Sequence, residues 1–293
     1  MTPTSVLPGR VVVASGCGGT GRELAPFASA ADVEMVTRTL TLDGSREGSA
    51  RRVVEAPGGV LTTLSTHNPG LEHFLAIELP PLVRAGVTVH VSISGAGAGE
   101  VATLARRLCL APGVHGLELN LDPPYAHELG LVAAVEPFQA AGVVRTVRTE
   151  FGTDRSVVVK VRPEGARLVD VAHACLEAGA DALVVGHGLS GCLDDGTPAV
   201  LSGAAIRPVV HAALRRLVDA GLGERVIACG GVDSPQAARD YLSAGAYGVQ
   251  VGSVLLRDPL ALASIRRNVE EWRTLAPSDP EFDHDIDSPG GDQ

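Results

Sequence analysis

The chain has 293 residues, 45% of them hydrophobic but only 3% aromatic, and carries 24 Lys+Arg against 34 Asp+Glu for a formal net charge of −10. That acidic balance argues against a nucleic-acid or anionic-membrane partner, either of which needs a basic surface. No run reaches the ~18 apolar residues of a membrane span, and the N-terminal MTPTSVLPGR has neither the charged nor the apolar region of a signal peptide, so a cytoplasmic protein is expected.

In chain order, Val11–Ser15 and Val33–Thr37 read as the first two strands. Residues 40–70 hold strand-like pieces at Arg51–Glu55 and Gly59–Leu64, separated by turn residues, which predicts a small β insertion after strand 2. Leu71–Arg84 is amphipathic with helical period, followed by an apolar run at Val87–Ser92, a helix at Glu100–Leu110 and a strand at Leu117–Leu121. Val157–Val161 is the fifth strand and contains Lys160, the one lysine in a chain that otherwise uses Arg. Helix Leu168–Ala178, strand Ala182–Val185 and a Gly/Asp/Pro-rich loop at 188–203 come next. Helix Ala205–Ala220, strand Val226–Cys229, helix Pro235–Ala244 and strand Gly248–Val251 complete the series.

Eight strands, nearly continuous in hydrophobicity and each followed by helical sequence, predict an α/β fold closed as a (β/α)8 TIM barrel. An open doubly wound sheet is the alternative. One domain over residues 1–277 is expected, with 278–293 an acidic, turn-rich and disordered tail. The five cysteines (Cys17, Cys109, Cys175, Cys192, Cys229) are odd in number and lack a CxxC pair, so neither a disulfide framework nor a metal site is expected.

The last two strands end in glycine-bearing turns, VIACGGV and GVQVGSV. In barrels these turns often hold a phosphate. Gly230, Gly231 and Gly252 let the backbone approach an anion and aim N–H groups at it, Ser253 adds a hydroxyl, and Ser202 and Gly203 open the helix after the long loop. A phosphorylated substrate or the tail of FMN would suit such a site.

These pieces also carry a resemblance. Together with ASG at Ala14–Gly16, NPG at Asn68–Gly70, ELPPL at Glu78–Leu82, ELNL at Glu118–Leu121, EAGAD at Glu177–Asp181 and GAYGVQVGS at Gly245–Ser253, the sequence resembles the class 1 dihydroorotate dehydrogenase family from about residue 11 to 260. The resemblance implies FMN across the top of the barrel, with Ala14, Ser15, Gly16, Arg38, Ser92, Asn120 and Lys160 around it and its phosphate on the last two turns. A fixed ammonium at Lys160 would stabilise the negative charge of reduced flavin. Set at the barrel mouth, Lys160 is expected to need no partner in the core.

The substrate half departs from the family pattern. Where family members carry N-[LI]-S-[CS]-P-N, this chain has Asn120-Leu121-Asp122-Pro123-Pro124-Tyr125, so Pro123 stands at the position of the proton-removing Cys or Ser. Arg38, Thr62, Ser65, Tyr125 and His187 also replace the usual residues. Lost amide partners and a lost base point to an FMN oxidoreductase acting on a small molecule other than dihydroorotate, by hydride transfer at a C–C or C–N bond. A genuine dihydroorotate dehydrogenase, a flavin-free phosphate-binding lyase or synthase, and an FMN-binding homologue without turnover are the alternatives. His187, Tyr125, Asp122 and Lys160 are the candidate catalytic residues. Thr62, Ser65, His67, Asn68, Tyr125 and His187 are the candidate substrate contacts. A homodimer is expected, and a separate partner would carry any further electron relay.

Overall fold

The computed structural model describes residues 10–21, 23–24, 26–27, 33–45, 53–63 and 67–275. Eight parallel strands close into a barrel in the order β1 (Val11–Val13), β2 (Glu34–Val36), β5 (Thr88–Ile93), β6 (Val114–Asn120), β7 (Ser156–Val161), β8 (Ala182–Val185), β11 (Val226–Cys229) and β12 (Gly248–Val251), with β12 pairing back to β1. Closure leaves no edge strand. Around the barrel run α1 (Leu71–His73) continuing through a π-helical stretch into α2 (Leu79–Ala85), then α3 (Ala98–Cys109), α4 (Pro137–Phe151), α5 (Leu168–Glu177), α6 (Arg207–Asp219), α7 (Pro235–Ser243) and α8 (Ala261–Leu275). The (β/α)8 expectation holds.

Period-two alternation sorts the strand side chains into two cores. Residues such as Leu117, Leu119, Val157 and Val159 face the helices in one continuous apolar layer. A small second cluster of Val158, Ala182, Val184 and Ile227 fills the barrel itself. Among the described residues no helix is long and apolar enough to cross a membrane.

A second, four-stranded antiparallel sheet lies apart from the barrel, in the order β3 (Val53–Ala56), β4 (Gly59–Thr63), β10 (Pro198–Ser202), β9 (Leu189–Cys192). Its first hairpin is the insertion expected after strand 2. The second is the stretch 188–203, which reads as a loop in the sequence but pairs Ala199–Ser202 of β10 with Thr63–Val60 of β4. Glycine, Asp and Pro break up its local pattern, while the pairing that orders it is more than 130 residues away. Ser65 and the tail 278–293 lie outside the described residues.

Candidate active site

The carboxyl ends of the barrel strands and the small sheet enclose a cavity of about 860 Å³. Ala14, Ser15, Gly16 and Cys17 line it from the end of β1, and Arg38, Thr39 and Thr41 from the end of β2. Gly230, Gly231, Gly252 and Ser253 line it from β11 and β12, with Ser202 and Gly203 beside them. Thr62, His67, Asn68, Asn120, Lys160 and His187 complete the set of expected residues that meet there.

Asn120 and Lys160 are register partners on β6 and β7, so both side chains emerge at the top of the barrel. The Asn120 amide donates through Nδ2 to Thr39 Oγ1 at 3.1 Å, and the Thr39 hydroxyl pairs with Ser92 Oγ at 2.9 Å. That leaves Asn120 Oδ1 buried without a partner. Ser92 therefore stands behind Thr39, fully buried and outside the cavity lining. Arg38 Nε and His187 Nε2 are likewise buried without a partner. Three buried polar atoms orphaned around one cavity are a strong sign of a missing ligand, because such atoms are normally hydrogen-bonded.

Lys160 corrects the expectation that it needs no core partner. Its side chain is 7% exposed, with Nζ 3.5 Å from Glu118 Oε1 and 3.3 Å from Gln250 Oε1. Gln250 Nε2 donates to the other carboxylate oxygen, Glu118 Oε2, at 2.7 Å. Glu118, Lys160 and Gln250 sit at inward positions of β6, β7 and β12 and form a closed polar plate beneath the cavity. Burial alone would lower the lysine pKa, but Cys229, Glu118 and Cys17 raise it, and the net direction is up. Burial pushes the Cys17 thiol up to about 11 and raises Cys229 as well. Glu118 is the carboxylate that faces the ammonium, at 3.5 Å.

His187 is held well below the ordinary imidazole value by burial, then by the positive charges of Lys160 and Arg162. It is a neutral ring at pH 7, with Nε2 unpartnered in the cavity lining.

Two expected residues lie elsewhere. Asp122 turns outward into a separate cavity of about 280 Å³ between the strand ends and helices α4 and α5, where its Oδ2 is 4.0 Å from Arg162 Nε. Both Leu121 and Asp122 lie past the end of β6 and line this outer cavity, not the active one. Tyr125 also leaves the lining. It adopts the left-handed region at φ 60 and donates its hydroxyl to Gly191 O on β9 at 2.6 Å. Proline at 123 and 124 restricts the backbone before it and carries the ring toward the hairpin.

Thr39, Glu118, Gln250 and Cys229 were not singled out by the sequence. Glu118 and Gln250 left a readable signal, namely a polar residue at an inward position of an otherwise apolar strand.

The residues present fit FMN. The glycine turns form a cradle that side chains would fill: a Cβ at Gly231 would come 2.9 Å from Arg207 Cβ, and one at Gly230 would come 2.8 Å from Ile206 Cδ1. The orphaned Asn120 Oδ1 and the charged Lys160 suit the polar edge of a flavin ring.

Comparison with known proteins agrees. The dihydroorotate dehydrogenase family model matches residues 3–272. The catalytic subunit of dihydroorotate dehydrogenase B (NAD(+)) from Pelobacter propionicus is 35% identical over 274 residues, covering 89% of this chain and 88% of that protein. The same subunit from Desulforudis audaxviator is also 35% identical over 274 residues, covering 90% and 88%. A crystal structure of DHODH in complex with ferulenol, from Eimeria tenella, superposes with a TM-score of 0.75 at 15% identity, covering 91% of this chain and 81% of that one, which shows the fold. Relatives sharing a third of their residues over most of the chain are thus named dihydroorotate dehydrogenases, and this overturns the expectation of a different substrate drawn from Pro123. The chain belongs to the dihydroorotate dehydrogenase family and is an FMN-dependent oxidoreductase.

Proposed function

We propose that this chain is the FMN-bearing catalytic subunit of a dihydroorotate dehydrogenase, oxidising dihydroorotate to orotate. The observation that carries the reading is the near full-length likeness to catalytic subunits of dihydroorotate dehydrogenase B. The cavity supports it, since its volume of about 860 Å³ leaves room beside a flavin ring for a small cyclic substrate. FMN, when bound, supplies the two-electron acceptor.

The chain's own residues then have distinct tasks. Backbone N–H groups at Gly231 and Val232, with the hydroxyls of Ser202 and Ser253, bind the phosphate. Ala14, Ser15, Gly16 and Asn120 bound the ring, and Lys160 holds a positive charge at its edge. Arg38 offers its unpartnered Nε to an anionic oxygen. His187 takes the substrate proton at Nε2. A base must reach the reacting carbon and need not occupy one place in the sequence. Pro123 at the family position is therefore compatible with proton removal from the end of β8, two strands around the barrel. Thr62, His67 and Asn68, on the insertion side, face the substrate.

Electrons leave through a separate subunit that passes them to NAD, as the names of the relatives suggest for those proteins. A homodimer goes with this reading, since Phe138 and Val135 are 83% and 48% exposed at the start of α4 and a second copy would cover them. So do a single barrel domain over 1–277 and a cytoplasmic setting. The test is anaerobic: dihydroorotate added to the yellow, FMN-loaded protein should bleach its absorbance within a turnover time, with orotate as the product. Flavin that stays oxidised for hours would rule the substrate out.

A further inference from the structure

We infer that Tyr241 and Arg207, both on the helix layer, are positioning residues that set the double-glycine turn as a phosphate cradle; the inference rests on the FMN reading above. Tyr241 is fully buried on α7 and takes no part in the cavity lining. Its hydroxyl donates to Gly230 O at 2.7 Å. Burial pushes the phenol's pKa up, so it stays a neutral donor. The His211 ring stacks on it with centroids 4.2 Å apart, which fixes the plane from which the hydroxyl projects. Arg207, the first residue of α6, donates through Nε to Gly231 O at 2.9 Å and through Nη2 to Asp233 Oδ1 at 2.6 Å.

Two successive carbonyls of the turn are thus held from behind. A trans peptide keeps its C=O and the following N–H antiparallel. With the carbonyls of Gly230 and Gly231 pulled toward the helices, the N–H groups of Gly231 and Val232 are turned the other way. Gly231 and Val232 both line the cavity, and both are buried. Neither N–H has a hydrogen-bond partner among the described residues. Buried N–H groups without partners are rare, and consecutive ones around a left-handed residue make an anion-binding concavity. Gly231 has φ +68, and a Cβ there would sit 2.9 Å from Arg207 Cβ and 3.1 Å from Gly203 O. The same arginine therefore sets both the orientation and the tightness of the turn.

Riboflavin shares the ring of FMN and lacks its phosphate, so the ratio of their dissociation constants isolates the cradle. Fluorescence quenching on full-length, flavin-stripped protein gives both constants. The wild type should prefer FMN. Tyr241→Phe should weaken FMN about tenfold and riboflavin by less than about twofold. Arg207→Lys keeps the charge beside Asp233 but loses the fork, and should lower the preference for FMN by a similar factor. It decides the matter should Tyr241→Phe fail to fold. Equal weakening of both flavins, or no change in either, would overturn the inference. A wild type without preference for FMN would instead sink the phosphate assignment itself, before any variant is made, and this inference with it.

Discussion

The two sides of the cavity are built from different material. On the β11–β12 side the ligand meets main chain: Gly230, Gly231 and Gly252 sit at the ends of packed strands, braced by Tyr241 and Arg207. On the β2 side it meets side chains such as Arg38, Thr62 and His67, carried on the end of β2 and on the insertion that follows it. At Gly230 and Gly231 a Cβ would come 2.8 Å from Ile206 Cδ1 and 2.9 Å from Arg207 Cβ, so these two positions are constrained to glycine. The second side is constrained only to place a suitable group within reach, and many sequences do that. The proposed assignments inherit this difference, and experiments can break it at several points.

The largest expected effect is at His187. If its imidazole removes the substrate proton, His187→Gln should lower kcat by about 10²–10⁴-fold while leaving FMN affinity intact. A loss below about threefold would move the base elsewhere in the cavity lining, which also holds His67, Cys17 and Cys229. The pH dependence gives a second check. The folded-state pKa of His187 lies well below the ordinary imidazole value of 6.5, so below pH 6.5 the unfolded chain binds a proton that the native state refuses. Stability should therefore be fully present above pH 6.5 and decline as pH falls toward the folded pKa. That part of the acid limb should flatten in His187→Gln, as read from urea midpoints between pH 5 and 8.

Next comes the polar plate beneath the cavity. Lys160→Met leaves the Glu118 carboxylate buried with only Gln250 as partner, and removing one member of a buried pair typically costs about 3–5 kcal/mol. The apoprotein should melt roughly 6–20 °C lower, at ~2–4 °C per kcal/mol for a chain of this size. Adding Glu118→Gln should restore most of the loss. If Lys160→Met alone melts like wild type, the plate contributes nothing to the fold.

How much of this was readable in the sequence follows the same division. Strands β8, β11 and β12 coincide with the apolar runs Ala182–Val185, Val226–Cys229 and Gly248–Val251, because double-sided burial writes itself as continuous hydrophobicity. β6 starts at Val114 rather than Leu117, since His115 and Gly116 interrupt the run. At Gly116 no side chain fits against His90 and Ser156. The β9–β10 hairpin was invisible locally because its order comes from β4. The glycine turns were legible for the reason given above. The bracing by Tyr241 and Arg207 was not, since nothing in helix periodicity tells that a buried tyrosine or a first-turn arginine serves a carbonyl two elements away. Asp122 lies two residues beyond the end of β6, where strand alternation no longer fixes which way a side chain points, and it turns to the outer cavity beside Arg162.

A moderate effect is expected on the flavin itself. The ammonium of Lys160 favours the reduced, negatively charged ring through a contact worth about 1.5–3 kcal/mol. For two electrons, where 30 mV is about 1.4 kcal/mol, the midpoint potential of bound FMN should fall by roughly 30–65 mV in Lys160→Met. The double variant with Glu118→Gln, which folds better, is the one to measure. An unchanged potential there would separate the lysine from the ring and leave it a structural partner of Glu118 alone.

The smallest effect is expected where the side-chain half is strained. Tyr125 holds a left-handed backbone at φ 60, a conformation costing a non-glycine residue about 1–2 kcal/mol. Its hydroxyl returns part of that through the bond to Gly191 O at 2.6 Å. This bond ties the loop after β6, which carries Pro123, Leu129 and Leu131 of the cavity lining, to the β9–β10 hairpin. Tyr125→Phe keeps the strain and loses the bond, so it should cost about 0.5–1.5 kcal/mol and lower the melting temperature by a few degrees, at ~2–4 °C per kcal/mol. Tyr125→Asn loses the bond but tolerates the left-handed region, and should melt close to wild type. Both should raise KM for dihydroorotate by a similar factor, because both release the hairpin. Should only the Phe variant raise KM, the backbone conformation rather than the tie to Gly191 would be what shapes the substrate side.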